Sequence, residues 1–175
     1  PAGPLAQATN YADVRIGGLE VSADSPIPVR RGVLTLSGSG AFTRGTITDG
    51  VNPLDKSSLD GTPADNITPV KVLAAARFTD AKGRWWVEYG VRTQTTVKRV
   101  TPTLYSSPFA IAQDLLSLDG FTLQRIGWGV SLGSRQRLGL NFAVENLANA
   151  FYREHFQFAP SRGRTFTIGL NVGAF

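Results

Sequence analysis

The chain has 175 residues, a formal charge of +5, one histidine and no cysteine, which is enough for one domain but rules out a disulfide framework, a thiolate metal site and a cysteine nucleophile. Its longest apolar runs, such as Val72 to Ala76, fall far short of the ~20 residues that a spanning helix needs. A helical membrane protein is therefore excluded, whereas a spanning barrel is not, because its strands need only ~9–11 residues and carry their signal as alternation. Basic residues such as Arg30, Arg31, Lys71, Arg92, Lys98, Arg125, Arg162 and Arg164 are scattered, with no dominant patch. A solvated surface or anionic lipid head groups account for such a distribution, and nucleic-acid binding is not expected.

Residues 1–9 form a polar approach with neither an initiator Met nor a signal-peptide pattern, so the sequence reads as a piece of a longer precursor. Alternation begins after Tyr11, with Val14 and Ile16 on one face, and resumes one residue out of phase at Leu19, Val21 and Ala23. The slip falls on Gly17-Gly18, where a β-bulge is expected to absorb the extra residue. A short connection over residues 24–31 leads to a second strand over residues 33–44, with Leu34, Leu36 and Phe42 on its apolar face. Gly38-Ser39-Gly40 lies inside that strand and lacks the third glycine and the following helix of a nucleotide-binding loop.

A long polar connection, residues 45–66, precedes a third strand over residues 67–79, with Val70, Val72, Ala74, Ala76 and Phe78 on one face. Its Asn66-Ile67-Thr68 matches a glycosylation sequon without any supporting context. Asp80-Ala81-Lys82-Gly83 reads as a tight turn into a fourth strand, with Trp85, Val87, Tyr89 and Val91 opposite Glu88, Arg92, Gln94, Thr96 and Lys98. A second long connection, residues 102–120, contains an apolar run from Phe109 to Leu118 that suits a short helical turn. The fifth strand, residues 121–132, places Ile126, Trp128, Val130 and Leu132 on one face. A turn at residues 133–136 leads to a sixth strand with Leu138, Leu140, Phe142 and Val144, and a long connection separates it from a seventh with Phe166, Ile168, Leu170, Val172 and Ala174.

Connections are short after strands one, three and five and long after strands two, four and six, which is the pattern of periplasmic turns and external loops in outer-membrane barrels. Residues 45–66, 106–120 and 149–163 are expected outside the cell. Glu, Arg, Lys and Gln occur mid-strand opposite faces of Val, Leu, Ile, Trp and Phe. A wet lumen behind a lipid-facing wall explains that contrast more simply than the dry core of a β-sandwich.

Asn146-Leu147-Ala148-Asn149-Ala150-Phe151-Tyr152-Arg153-Glu154-His155, then Pro160-Ser161-Arg162-Gly163-Arg164-Thr165-Phe166 and the terminal Phe175, resemble the last two strands of a TonB-dependent outer-membrane receptor. Asn10, Gly18 and Glu20 fit a further strand pattern of that family. The resemblance implies an all-β, antiparallel, up-and-down transmembrane barrel of about 22 strands with a plug domain. Residues 1–175 would be the C-terminal portion of that barrel, with the plug and the N-terminal strands outside this sequence. It also implies localisation in the outer membrane and energised uptake of a scarce nutrient, commonly a ferric siderophore. The implied partners are that ligand, the TonB complex acting through the plug, outer-membrane lipid and lipopolysaccharide, and the barrel-assembly machinery. The other readings are a passive porin-like barrel and a secreted β-sandwich binding module.

No catalytic constellation, cofactor site or metal site is expected, since one His and unpaired carboxylates offer none. Tyr152, Arg153 and His155 are the candidate ligand contacts in an external loop, and for His155 an ordinary loop position is favoured over a haem-iron ligand. Phe151 and Tyr152 also suit a membrane interface, while Trp85 and Trp86 suit a periplasmic-side aromatic girdle. Phe175 is the candidate barrel-assembly signal, because a final strand with free N–H and C=O groups suits strand addition.

Overall fold

The computed structural model describes residues 12–52, 55–64, 67–97, 119–133, 138–154, 157 and 159–173. Seven strands form one sheet in chain order, β1 (Ala12–Val29), β2 (Gly32–Gly50), β3 (Lys71–Asp80), β4 (Trp85–Gln94), β5 (Phe121–Leu132), β6 (Leu138–Glu145) and β7 (Thr165–Val172). Every pairing is antiparallel between sequence neighbours, so the expected up-and-down architecture holds. Short connections at residues 30–31, 81–84 and 133–137 alternate with long ones at 51–70, 95–120 and 146–164. A β-sandwich needs a second sheet packed on the first; among the described residues there is only this one.

Registration turns the period-two pattern of each strand into two continuous surfaces. One hydrogen-bonded row reads Ile27, Leu34, Phe78, Val87, Trp128, Phe142 and Ile168 across all seven strands. The next row, one residue along and therefore on the other face, reads Pro26, Thr35, Arg77, Glu88, Gly127, Ala143 and Thr167. The apolar face is open: Leu19 is 65% exposed, Leu170 62% and Ile168 74%. Aromatic contacts knit it laterally, with Phe78 and Trp85 ring centroids 5.1 Å apart and Trp128 stacked on Phe142 at 5.2 Å. In water such a surface would be an aggregation or interaction surface, and in hydrocarbon it is the solvated one.

The strand ends differ from expectation for physical reasons. β1 continues to Val29, through Pro26 and Pro28. Two prolines two residues apart remove N–H groups on the same side of the strand, and pairing with β2 on the other side runs through them. β3 begins only at Lys71 and β4 ends at Gln94. β2 instead runs on to Gly50, so the β1–β2 ribbon rises beyond Ala41 and Lys71, the outermost pair of β2 with β3.

The expected bulge at Gly17-Gly18 is absent, because pairing is continuous from Ile16 opposite Gly45 to Leu19 opposite Phe42. The register shifts between Asp13 and Val14 instead, leaving Thr48 as the extra residue on β2. The phase slip marks a change of environment. Below it, Leu19 and Val21 share the apolar face of the sheet; above it, Ala12, Val14 and Ile16 point to the opposite side, part of which residues 55–64 and Ile67 cover by folding back. Thr62 and Gly61 bond the backbone of Ile47 at 2.9 Å each, and Ile47, Leu59 and Ala64 form a small buried core flanked by Ala12 and Ile67. The apolar side of β1 therefore switches where the ribbon rises past the rest of the sheet.

Tryptophans 85 and 86, grouped above as one girdle, separate in the structure, since consecutive strand residues point to opposite faces. Trp85 lies on the apolar face. Trp86 lies on the other, under the Arg77 guanidinium at 4.0 Å from its ring centroid, over a recess left by Gly127 and Gly129. A Cβ at Gly129 would sit 2.4 Å from Trp86 Nε1. The apolar run at residues 109–118 lies outside the described residues.

Candidate ligand-facing site

The polar face of the sheet carries its charges in a paired arrangement. Glu88 accepts Arg77 from β3 at 3.8 Å and Arg125 from β5 at 3.5 Å, so a carboxylate on the middle strand is shared by guanidiniums on both neighbours. Small side chains lie around it, including Ser37, Ala75 and Gly90, leaving the surface concave. The outward end of this face is partly covered by the β6–β7 connection.

That connection folds inward because of its asparagines. Asn146 follows β6 with φ 53°, a left-handed conformation that asparagine tolerates better than most residues. Its side chain is buried at 4% exposure and closes a ring, accepting from the Ala150 N–H at 2.8 Å and donating to the Ala150 carbonyl at 2.9 Å. Leu147 N–H bonds the Gln124 carbonyl on β5 at 3.0 Å. Asn149, at φ 52°, accepts from the Arg164 N–H at 2.8 Å, and the Arg164 guanidinium returns to the Leu147 carbonyl at 2.6 and 3.1 Å. The residues that carry the family resemblance thus build one hydrogen-bonded corner, which commits the following segment to the polar side of the sheet.

The corner delivers Tyr152 and Glu154 to Arg92 on β4. Glu154 pairs with Arg92 at 2.5 Å. The Arg92 guanidinium lies 5.2 Å from the Phe121 ring centroid and 5.9 Å from that of Tyr152, and the two rings are 4.6 Å apart at 49°. Phe121 is buried, so Arg92 bridges sheet and loop through one ion pair and two ring faces. Below this contact lies a cavity of about 960 Å³ lined by Glu88, Arg92, Arg125, Glu145, Tyr152 and Glu154, among others. Its walls offer cations, carboxylates and a phenol to a polar ligand, and its size suits a drug-sized molecule. Among the described residues no group of three or more His, Asp or Glu converges to hold a metal ion.

Of the candidate contacts, Tyr152 lies in this site. Arg153 is half-buried beside it and holds an interaction of its own. Phe151 is 84% exposed and points away. His155 and Phe175 lie outside the described residues. Arg92, Phe121 and Glu154 were not among the residues expected to form a site, although a mid-strand arginine on the wet face was a readable signal for the first.

No known protein family and no curated relative matches the sequence. The fold is all-β, seven antiparallel up-and-down strands in one sheet, and among solved structures it superposes on a segment of a longer chain. The matched structure is the copper transporter OprC, with a TM-score of 0.71, 20% sequence identity and coverage of 92% of this chain. The chain spans about a quarter of that protein's length, 23%. At this identity the likeness shows the fold alone.

Proposed function

We propose that the chain is the C-terminal part of the barrel of a TonB-dependent outer-membrane receptor, which takes up a scarce nutrient using energy from the inner membrane. The observation that carries this reading is the two-faced sheet: a continuous open apolar surface on one side and a charged, loop-capped surface on the other, with short and long connections alternating between its ends. Among the described residues β1 and β7 each have an unpaired edge in the sheet, which hydrocarbon does not tolerate; about fifteen further strands of a barrel of about 22 would pair them. The plug and its contact with the TonB complex lie in the rest of that receptor.

The cargo in this reading is a ferric siderophore. Arg92, Arg125 and Tyr152 suit an anionic, aromatic-bearing chelate, which binds through charge and ring contacts and brings its own iron ligands. The test compares a strain lacking the gene with the complemented strain under iron restriction, measuring accumulation of iron supplied as a ferric siderophore, with copper in parallel. Gene-dependent iron accumulation that a protonophore abolishes is expected. Copper accumulation alone would overturn the choice of cargo, and uptake insensitive to the protonophore would favour a passive porin-like barrel.

A further inference from the structure

We infer that Glu154 is a built-in competitor of the ligand, a tethered carboxylate that occupies the anion position on Arg92 and that an anionic chelate must displace, releasing the β6–β7 connection. This inference rests on the cargo reading above. The cavity offers an entering anion little unengaged positive charge. Arg92 is held by Glu154 at 2.5 Å and Arg125 by Glu88 at 3.5 Å, while Asp24 and Glu145 add further negative charge to the lining. Among the described residues Arg162 is the lining cation without an ion pair, and it is exposed on the connection itself. On β4, then, an anion gains Arg92 only by taking the place of Glu154.

Two features let Glu154 leave. Among the described residues, the backbone between Tyr152 and Ser161 bonds within the connection rather than to a strand, with the Gln157 N–H on the Glu154 carbonyl at 3.1 Å and the Ser161 N–H on the Tyr152 carbonyl at 2.9 Å. It can part from the sheet in one piece, while Asn146 and Asn149 keep its base at Ala150 and Arg164 in place. The second feature is Gln94, two residues outward from Arg92 on the same face and opposite Phe121. It is buried at 3% exposure, and neither Nε2 nor Oε1 of its amide has a hydrogen-bond partner. A buried orphan amide opposes the arrangement that encloses it, and lifting Tyr152 from Phe121 gives it access to water or to the ligand. Glu154 thereby sets a charge threshold. A neutral ligand has no group to replace the carboxylate on Arg92, whereas a multiply anionic one can engage the guanidinium in its place, which discriminates between them through a built-in repulsive element.

The test uses the intact receptor in nanodiscs, with the trianionic ferric complex of a tris-catecholate chelator as the probe; binding is read by quenching of protein fluorescence and the connection by amide hydrogen exchange. Glu154→Gln should bind the probe roughly ten-fold more tightly than wild type, because the competent state is more populated. Arg92→Gln should bind it roughly ten-fold more weakly, and in that background Glu154→Gln should bring no gain. Saturating probe should speed exchange at Tyr152 and Gln157 in wild type, and Glu154→Gln should do so without probe. Slower exchange with probe bound would mean that the connection closes over the ligand with its ion pair intact and would overturn the inference, as would a Glu154→Gln protein that binds no more tightly. Affinity lost in Arg162→Gln but kept in Arg92→Gln would place the anion on the other cation and overturn it too. Failure of both wild type and Glu154→Gln to bind the probe would defeat the cargo reading. Unchanged exchange in Glu154→Gln without probe would defeat the inference by itself, whatever the cargo.

Discussion

Replacing Val87 by arginine tests the assignment of the two faces where the sheet is continuous on both sides. Val87 lies on β4 between Phe78 and Trp128 in the register, is 39% exposed, and has Trp85, Tyr89 and Val91 along its own strand on the same face. An arginine there would stand in the lipid-facing band, where the cost approaches ~2–4 kcal/mol at the midplane. That corresponds to a roughly thirty- to eight-hundred-fold loss in the folding equilibrium. Ala75→Arg is the comparison, because Ala75 occupies the wet face of β3 beside Ser37 and Gly90, where small neighbours leave room for a hydrated guanidinium; its effect should stay within about 0.5 kcal/mol. Both variants of the intact receptor are folded into lipid vesicles and titrated with urea, following tryptophan fluorescence. A Val87→Arg protein as stable as wild type, with Ala75→Arg the damaging change, would show that the faces have been assigned the wrong way round.

Gly129→Ala should destabilise the barrel by about 1–3 kcal/mol, because the new Cβ would meet Trp86 Nε1 at 2.4 Å and Asn141 Oδ1 at 2.6 Å; the same urea titration reads it, and Trp86→Ala in the same chain should relieve most of the loss. Asn146→Ala leaves both backbone groups of Ala150 without their partner and should free the β6–β7 connection, seen as faster amide exchange at Ala150 and Arg164 at a cost of about 1–3 kcal/mol. Arg92→Gln removes the Glu154 ion pair and the cation over Phe121 and Tyr152, with a stability change of about 1 kcal/mol or less; increased protease access to residues 152–162 with an unchanged urea midpoint is the expected signature. The Asp55 carboxylate is held below the ordinary range by the Ser57 hydroxyl and N–H, so this turn is fully supported above the usual carboxylate pKa and loses that support as pH falls through the lowered value. Asp55→Asn should flatten the acid dependence of amide exchange at Ser57.

The strands and their faces were legible because each is a period-two segment, and registration only had to align seven patterns that already agreed. Where the environment changes along a strand, the same pattern misleads. The slip at Gly17-Gly18 looks like a bulge in sequence, yet it marks where the ribbon rises past β3 and Ala12 turns to a loop-covered core, while Val14 and Ile16 stay exposed on that side. That packing depends on Leu59 and Ala64 reaching Ile47, a contact with no periodic trace. The Trp85-Trp86 doublet was decodable, since adjacent strand residues cannot share a face, and grouping them ignored that constraint. The candidate site was legible only at Tyr152. Its partners Arg92 and Phe121 lie on other strands, and the link between them runs through the Asn146 and Asn149 corner, whose hydrogen bonds decide which side of the sheet the loop covers.

Accessibility of introduced cysteines in living cells tests the barrel orientation most directly, and these 175 residues contain no cysteine of their own. Ser58→Cys lies in the fold-back over the β1–β2 ribbon, and Ala81→Cys in the short turn between β3 and β4; both positions are exposed. An impermeant thiol reagent applied to intact cells should label Ser58→Cys and leave Ala81→Cys untouched until the outer membrane is permeabilised. Labelling of Ala81→Cys with protection of Ser58→Cys would reverse the orientation, and equal labelling of both before permeabilisation would contradict a membrane-spanning barrel.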